Sequence, residues 1–167
     1  MDHKEYLRRY IWKRVDFDSA YGYQCVDLTR HYCASVRWYL AWVFGGSAIA
    51  WWENRKTTFK GKQSITGFPK DVKSIKQWDV VIFKAKAKCM VKYPWVGNAW
   101  KSITFGKEWH VGQVDYVDND GVLRIVEQNG NNGRIVNGKR VRDGLGENAI
   151  RIMGYMGKDA VAGFILQ

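Results

Sequence analysis

Four residues of this 167-residue chain have types suited to acyl transfer: Cys25, His110, Glu127 and Asn129. A thiolate attacks carbonyls, an imidazole moves the proton, and a carboxylate or amide on the ring's second nitrogen sets its tautomer. Cys25 stands in "YGYQCVDLTRHY" (21–32), between a glycine turn and the start of a predicted helix. A cysteine that only fills space would be expected inside an apolar run. At a helix N-terminus, unpaired N–H groups and the positive end of the dipole favour the thiolate. Alone, Cys25 would still read as a packing thiol, and only His110 with Glu127 and Asn129 reverses that reading. Cys33 and Cys89 read as packing thiols, and His3 and His31 as solvent-facing or satisfied helix residues.

The elements that must position these residues change period along the chain. Apolar positions at three-to-four spacing predict helices over 3–13, 25–44 and 48–55. From Trp78 onward, "DVVIFK" (79–84), "HVGQVDYV" (110–117), "VLRIVE" (122–127), "AIRIM" (149–153) and "AGFIL" (162–166) read as strands. Helices followed by antiparallel strands make an α+β domain. "DNDG" (118–121) is a hairpin signal, and a two-residue loop at Asn119-Asp120 would set Val117 opposite Val122. Gly112 then faces Glu127, and His110 faces Asn129. Alternation puts His110, Gly112, Val114 and Tyr116 on one face with Leu123, Ile125, Glu127 and Asn129, and the apolar members mark that face as the core side. Sliding the turn by one residue on both arms keeps this parity, whereas a three-residue loop breaks it.

The formal charge of +11 implies attraction to polyanions: nucleic acid, anionic lipid or the phosphate-rich polymers of bacterial envelopes. Three cysteines cannot all pair and form no C-x-x-C pattern, so neither a disulfide framework nor a standard zinc site is indicated and reduced thiols are the simpler reading. The length and the lack of a linker or repeat suggest a single domain over 1–167 that builds its core unaided. The longest apolar run, "WYLAWVFGGSAIAWW" (38–52), is shorter than the ~20 residues of a spanning helix and reads as buried core. Charges interrupt "MDHKEYLRRYIW", so no signal peptide is expected and synthesis in a cytoplasm follows.

The blocks "DFDSAYGYQCVDLT" (16–29), "DVVIF" (79–83), "HVGQV" (110–114) and "VEQNG" (126–130), in that order, resemble the CHAP family, the cysteine- and histidine-dependent amidohydrolases/peptidases of bacteriophage lysins and wall hydrolases. The resemblance implies a papain-like α+β fold, with the cysteine helix packed on an antiparallel sheet. It implies Cys25 as nucleophile, His110 as general base and acid, Glu127 as the orienting carboxylate and Asn129 as an assisting amide. The implied function is a peptidoglycan hydrolase that cuts an amide bond in the wall peptide, as a phage endolysin or virion-associated lysin without stable membrane insertion. The implied state is a monomer. Some members bind structural calcium just before the cysteine, and Asp16, Asp18 and Asp27 match their acidic positions, with main-chain oxygens near Ala20 and Gly22. Two carboxylates on D-x-D and nearby carbonyls suit that hard cation, although the loop lacks the glycine and closing glutamate of an EF-hand, and turn formation alone would also explain the aspartates.

The sequence departs from the family pattern at Trp78, where glycine is usual, and at Gln113, which interrupts the apolar half of the histidine motif. The segment between Phe83 and His110 is long, with Trp95, Trp100 and Trp109 among lysines; it reads either as a substrate loop over the cleft or as a solvated strand pair with core aromatics. The competing classes are a basic nucleic-acid-binding protein that stacks bases on tryptophans, and a calcium-braced wall-binding module without activity. The first leaves the Cys/His/Glu/Asn register as coincidence, which disfavours nucleic acid as the partner, and the intact Cys25 and His110 argue against the second.

Overall fold

A computed structural model describes residues 1–17, 19, 24–37, 47–59, 61–92, 99–107, 109–128, 134–136, 139–141 and 151–167. The helices are α1 (His3–Tyr10), α2 (Cys25–Tyr32), α3 (Ala48–Glu53) and α4 (Arg55–Thr58). The strands are β1 (Ser64–Thr66), β2 (Val80–Phe83), β3 (Lys88–Lys92), β4 (Trp100–Thr104), β5 (His110–Val117), β6 (Leu123–Glu127), β7 (Arg134–Val136), β8 (Lys139–Val141), β9 (Arg151–Met156) and β10 (Val161–Ile165). Eight of them form one antiparallel sheet in the order β1-β10-β2-β5-β6-β9-β3-β4, and β7 pairs with β8. N-terminal helices pack against this large antiparallel sheet, as the α+β reading requires. No helix among the described residues is long and apolar enough to cross a membrane.

Alternation along β2 shows how the sheet is covered on both faces. Val80 and Ile82 join Cys33, Ala48, Trp51 and Val111 in the layer beneath the helices. Val81 and Phe83 point the other way, into a core with Val114, Leu123, Ile125, Met153 and Tyr155. All four β2 side chains are therefore buried, which makes it a central strand. Among the described residues no α-helix contributes to the inner core, around which the sheet curls. Phe105 directly follows edge strand β4, roughly 24 Å from β2 if the sheet were flat, yet its ring centroid lies 4.9 Å from that of Phe83.

Helix α1 begins where the Asp2 carboxylate accepts the Glu5 N–H at 2.8 Å, an ordinary N-cap. Its buried face is His3 and Tyr6, three residues apart and so on one side of the helix. The predicted helix over 25–44 is α-helical to Tyr32 and continues as a π-helical turn, Cys33–Arg37. Residues 38–46 lie outside the described residues; in the rest of that apolar run Ala48 and Trp51 are buried.

The β5–β6 hairpin corrects the sequence reading in two places. The turn is not a two-residue loop: Val117 pairs with Leu123, and Asp118 to Val122 form the connection. Asp118 Oδ1 accepts the N–H groups of Asp120 and Val122, and Gly121 supplies the positive φ (76°) that closes the loop. An odd-length loop should reverse the parity of every pair beyond it. A bulge between Val114 and Tyr116 cancels the change, so Val114 faces Ile125 and Gln113 faces Val126, in the expected register. Tyr116 lies on the turn side of that bulge and is half exposed instead of facing the core. Asp115, at the bulge, reaches back to α1 and bonds His3 Nε2 at 2.9 Å, while His3 Nδ1 meets the Tyr32 hydroxyl at 2.8 Å.

The segment after Phe83 is decided between its two readings. Its described part is not a loop over the cleft: β3 and β4 pair from Lys88↔Thr104 to Lys92↔Trp100 and extend the main sheet past β9. Cys89, Val91 and Phe105 enter the inner core. The lysines hid a plain in/out alternation, so the strand-pair alternative holds.

Candidate active site

Cys25 is the first residue of α2, half-buried, and packs with Val26 and Trp109 against the cluster beneath the helices. Helix α2 starts there because Asp27 Oδ2 accepts the Gln24 N–H at 2.8 Å, the reciprocal half of a capping box. The Asp27 carboxylate is buried within this cap. His110 opens β5 and is also buried. Trp109, just before it, holds φ at 57°, a left-handed turn that a bulky side chain rarely adopts, and brings the chain into the strand.

Glu127, fully buried at the end of β6, accepts from His110 Nε2 at 2.8 Å through Oε2. The Cys25 side chain lies close enough to His110 to favour its charged form. With Nε2 spent on Glu127, Nδ1 is the nitrogen left for the thiol. Burial pulls the His110 pKa down, but the interactions with Cys25 and Glu127 outweigh it and push the pKa up to about 9. The ring is held from the side as well: Phe105 stacks on it at 5.6 Å and 18°, and Phe83, its partner across β2–β5, at 6.0 Å and 24°. Gly112 lets the two strands close over this end, because a Cβ there would lie 3.0 Å from the Val126 carbonyl oxygen.

Three sequence-predicted residues thus come together: His110 is bonded to Glu127, and Cys25 is coupled electrostatically to His110. Asn129 lies outside the described residues, as do Asp18, Ala20 and Gly22 of the acidic segment. Asp16 is exposed, and no cluster of three potential metal-ligating side chains occurs among the described residues. Of the tryptophans, Trp95 lies outside the described residues, Trp100 sits under Lys92 Nζ at 5.8 Å, and Trp109 packs beside Cys25. Trp78, where glycine was expected, holds φ at 89°, a conformation native to glycine, and its ring packs 5.1 Å from that of His3. Cys33 and Cys89 are buried, and neither is in a disulfide.

Sequence reasoning passed over two residues. Gln128, fully buried, is adjacent to Glu127 and points to the opposite face. Its amide donates to the carbonyls of Val15 (2.7 Å) and Gln24 (3.0 Å) and accepts from the Val15 N–H (2.8 Å). One strand end therefore grips the histidine with Glu127 and the chain leading into Cys25 with Gln128. Its place inside "VEQNG" was the available signal. The other is Tyr155, whose hydroxyl donates to Glu127 Oε2. No local pattern marks it, because its strand partner is Leu123, four residues from Glu127.

No protein-family model matches this sequence, and no curated protein does. Among solved structures the chain is similar to a wild-type endolysin, LysIME-EF1, at 21% sequence identity and a TM-score of 0.48. That likeness covers 96% of this chain, which spans 60% of the length of the endolysin chain.

Proposed function

We propose that this protein is a thiol hydrolase of the papain-like, CHAP type that cleaves an amide bond in the peptide part of peptidoglycan. The observation that carries the reading is the buried His110–Glu127 pair with the half-buried Cys25 thiol beside it at the first turn of a helix. Cys25 Sγ attacks the scissile carbonyl carbon, and the oxyanion is held by backbone N–H groups at the start of α2. His110, protonated at neutral pH, gives its proton to the leaving amine; as the neutral base it then takes one from the water that releases the acyl-enzyme. Glu127 keeps the ring oriented and stabilises its positive form, and Asn129 assists that orientation.

The family resemblance and the charge of +11 support a bacterial wall as the target and anionic envelope polymers as the surface that concentrates the enzyme on it. A phage endolysin or virion-associated lysin, made in the host cytoplasm and acting as a monomer, fits both. The hard oxygen donors of Asp16, Asp18 and the main chain near Ala20 and Gly22 suit calcium, with Asp27 at the inner end of the set. When bound, the ion would brace the segment that Gln128 ties down, and it takes no part in bond cleavage.

The test is mass spectrometry of fragments released from purified peptidoglycan by the wild type and by Cys25→Ala, with and without a calcium chelator. Release by the wild type alone, with new termini at a peptide amide, is the expected result. Loss under chelation supports the calcium assignment. If neither protein releases fragments from walls of several chemotypes and both bind nucleic acid in a salt-dependent way, the chain is a basic binder instead.

A further inference from the structure

We propose that Tyr155 is a positioning residue of this site, whose hydroxyl fixes the Glu127 oxygen that orients His110 and tempers the pull of that carboxylate on the imidazole proton. The inference rests on the hydrolase reading above. Tyr155 reaches Glu127 across the interior of the curled sheet, since its backbone partner on β6 is Leu123. The hydroxyl and His110 Nε2 share one oxygen, Oε2, so the phenol acts on the atom that orients the imidazole.

The placement is rigid at both ends. Phe83 and Phe105, which stack on His110, also hold the Tyr155 ring, at centroid distances of 5.1 and 5.9 Å. All three polar residues are buried, so no solvent competes for the carboxylate. The titratable groups facing Glu127 are His110 from β5, Tyr155 from β9 and Cys89 from β3, with Cys25 of α2 behind the imidazole; Arg151 is its backbone partner on β9. Burial and the Glu127 charge push the Cys89 thiol up to about 12, which keeps it neutral. The phenol O–H donates to the carboxylate and spreads its charge without cancelling it. It thereby tempers the carboxylate's pull on His110.

Tyr155→Phe removes the donor and keeps the ring in its stack. The expected result is a kcat for peptidoglycan solubilisation about ten- to a hundredfold lower, the usual cost of a hydrogen bond to a charged group, with KM within about twofold. The acid limb of the kcat/KM profile and the His110 imidazole midpoint in an NMR titration should both move up, each by about half to one pH unit. In a Glu127→Gln background the same substitution should cost less than about threefold, because its action passes through the carboxylate. A Tyr155→Phe protein with wild-type kcat and an unmoved His110 midpoint, or with an equal loss in both backgrounds, overturns the proposal. If that result accompanies an inactive Cys25→Ala, only the Tyr155 role falls; full activity of Cys25→Ala overturns the hydrolase reading itself, and the NMR midpoint still decides whether Tyr155 acts on His110.

Discussion

Replacing Glu127 by glutamine keeps the shape of the side chain and removes the charge 2.8 Å from His110 Nε2. The difference between an ordinary imidazole at 6.5 and His110 at about 9 corresponds to about 3 kcal/mol in favour of the charged ring. Burial opposes that gain, so the partners together supply more, and Cys25 carries part of it. Losing the carboxylate should therefore lower the His110 midpoint by at least about one pH unit. The sign for stability follows from linkage: His110 holds its proton more tightly folded than unfolded. Its pH-dependent contribution is complete below about 6.5 and disappears as pH rises through about 9. Urea denaturation across pH 6 to 10 should show wild type and Glu127→Gln differing by about 1–3 kcal/mol at the acid end, with the gap narrowing toward the alkaline end. With three histidines in the chain, NMR titration can follow His110 directly, assigned by its loss in His110→Ala. A wild-type midpoint near 6.5, or a Glu127→Gln midpoint still near 9, would refute the coupling.

Two other substitutions test the frame around the site. A Cβ at Gly163 would lie 2.1 Å from the tip of Trp52 and 2.3 Å from the Ile65 carbonyl oxygen. The indole could move but the β1 backbone cannot, so Gly163→Ala should cost about 3 kcal/mol or more in urea denaturation, and a loss under about 1 kcal/mol would contradict the packing. His3→Ala breaks the bonds that tie α1 to Tyr32 and to the Asp115 bulge; it should cost about 2–4 kcal/mol and speed amide exchange in α1, and unchanged exchange there would show that the helix docks without them.

Two sequence errors cancelled at the site. The turn at 118–122 is longer than two residues, which alone would have moved His110 to the wrong face, and the bulge at Asp115 restored it. No residue pattern announces that bulge, because what supports it is His3, far away in the sequence. The β3–β4 hairpin was obscured for a different reason: lysines on its outer face diluted an alternation whose inner members, Cys89 and Val91, find their core only when the sheet curls.

By itself the sequence determined the candidate set and its order, since a thiol before a helical pattern, a histidine opening a strand and a carboxylate closing the next are local features of period and parity. It also determined which faces are apolar, because alternation along β2, β5 and β6 is a property of neighbouring residues. Only the tertiary structure decided what those faces meet. Curling the sheet brought Tyr155 and Phe105, remote in strand order, onto Glu127 and His110. The strand end let Glu127 and Gln128 grip opposite sides of the site. Such contacts depend on long-range closure of the chain, which no short-range spacing encodes.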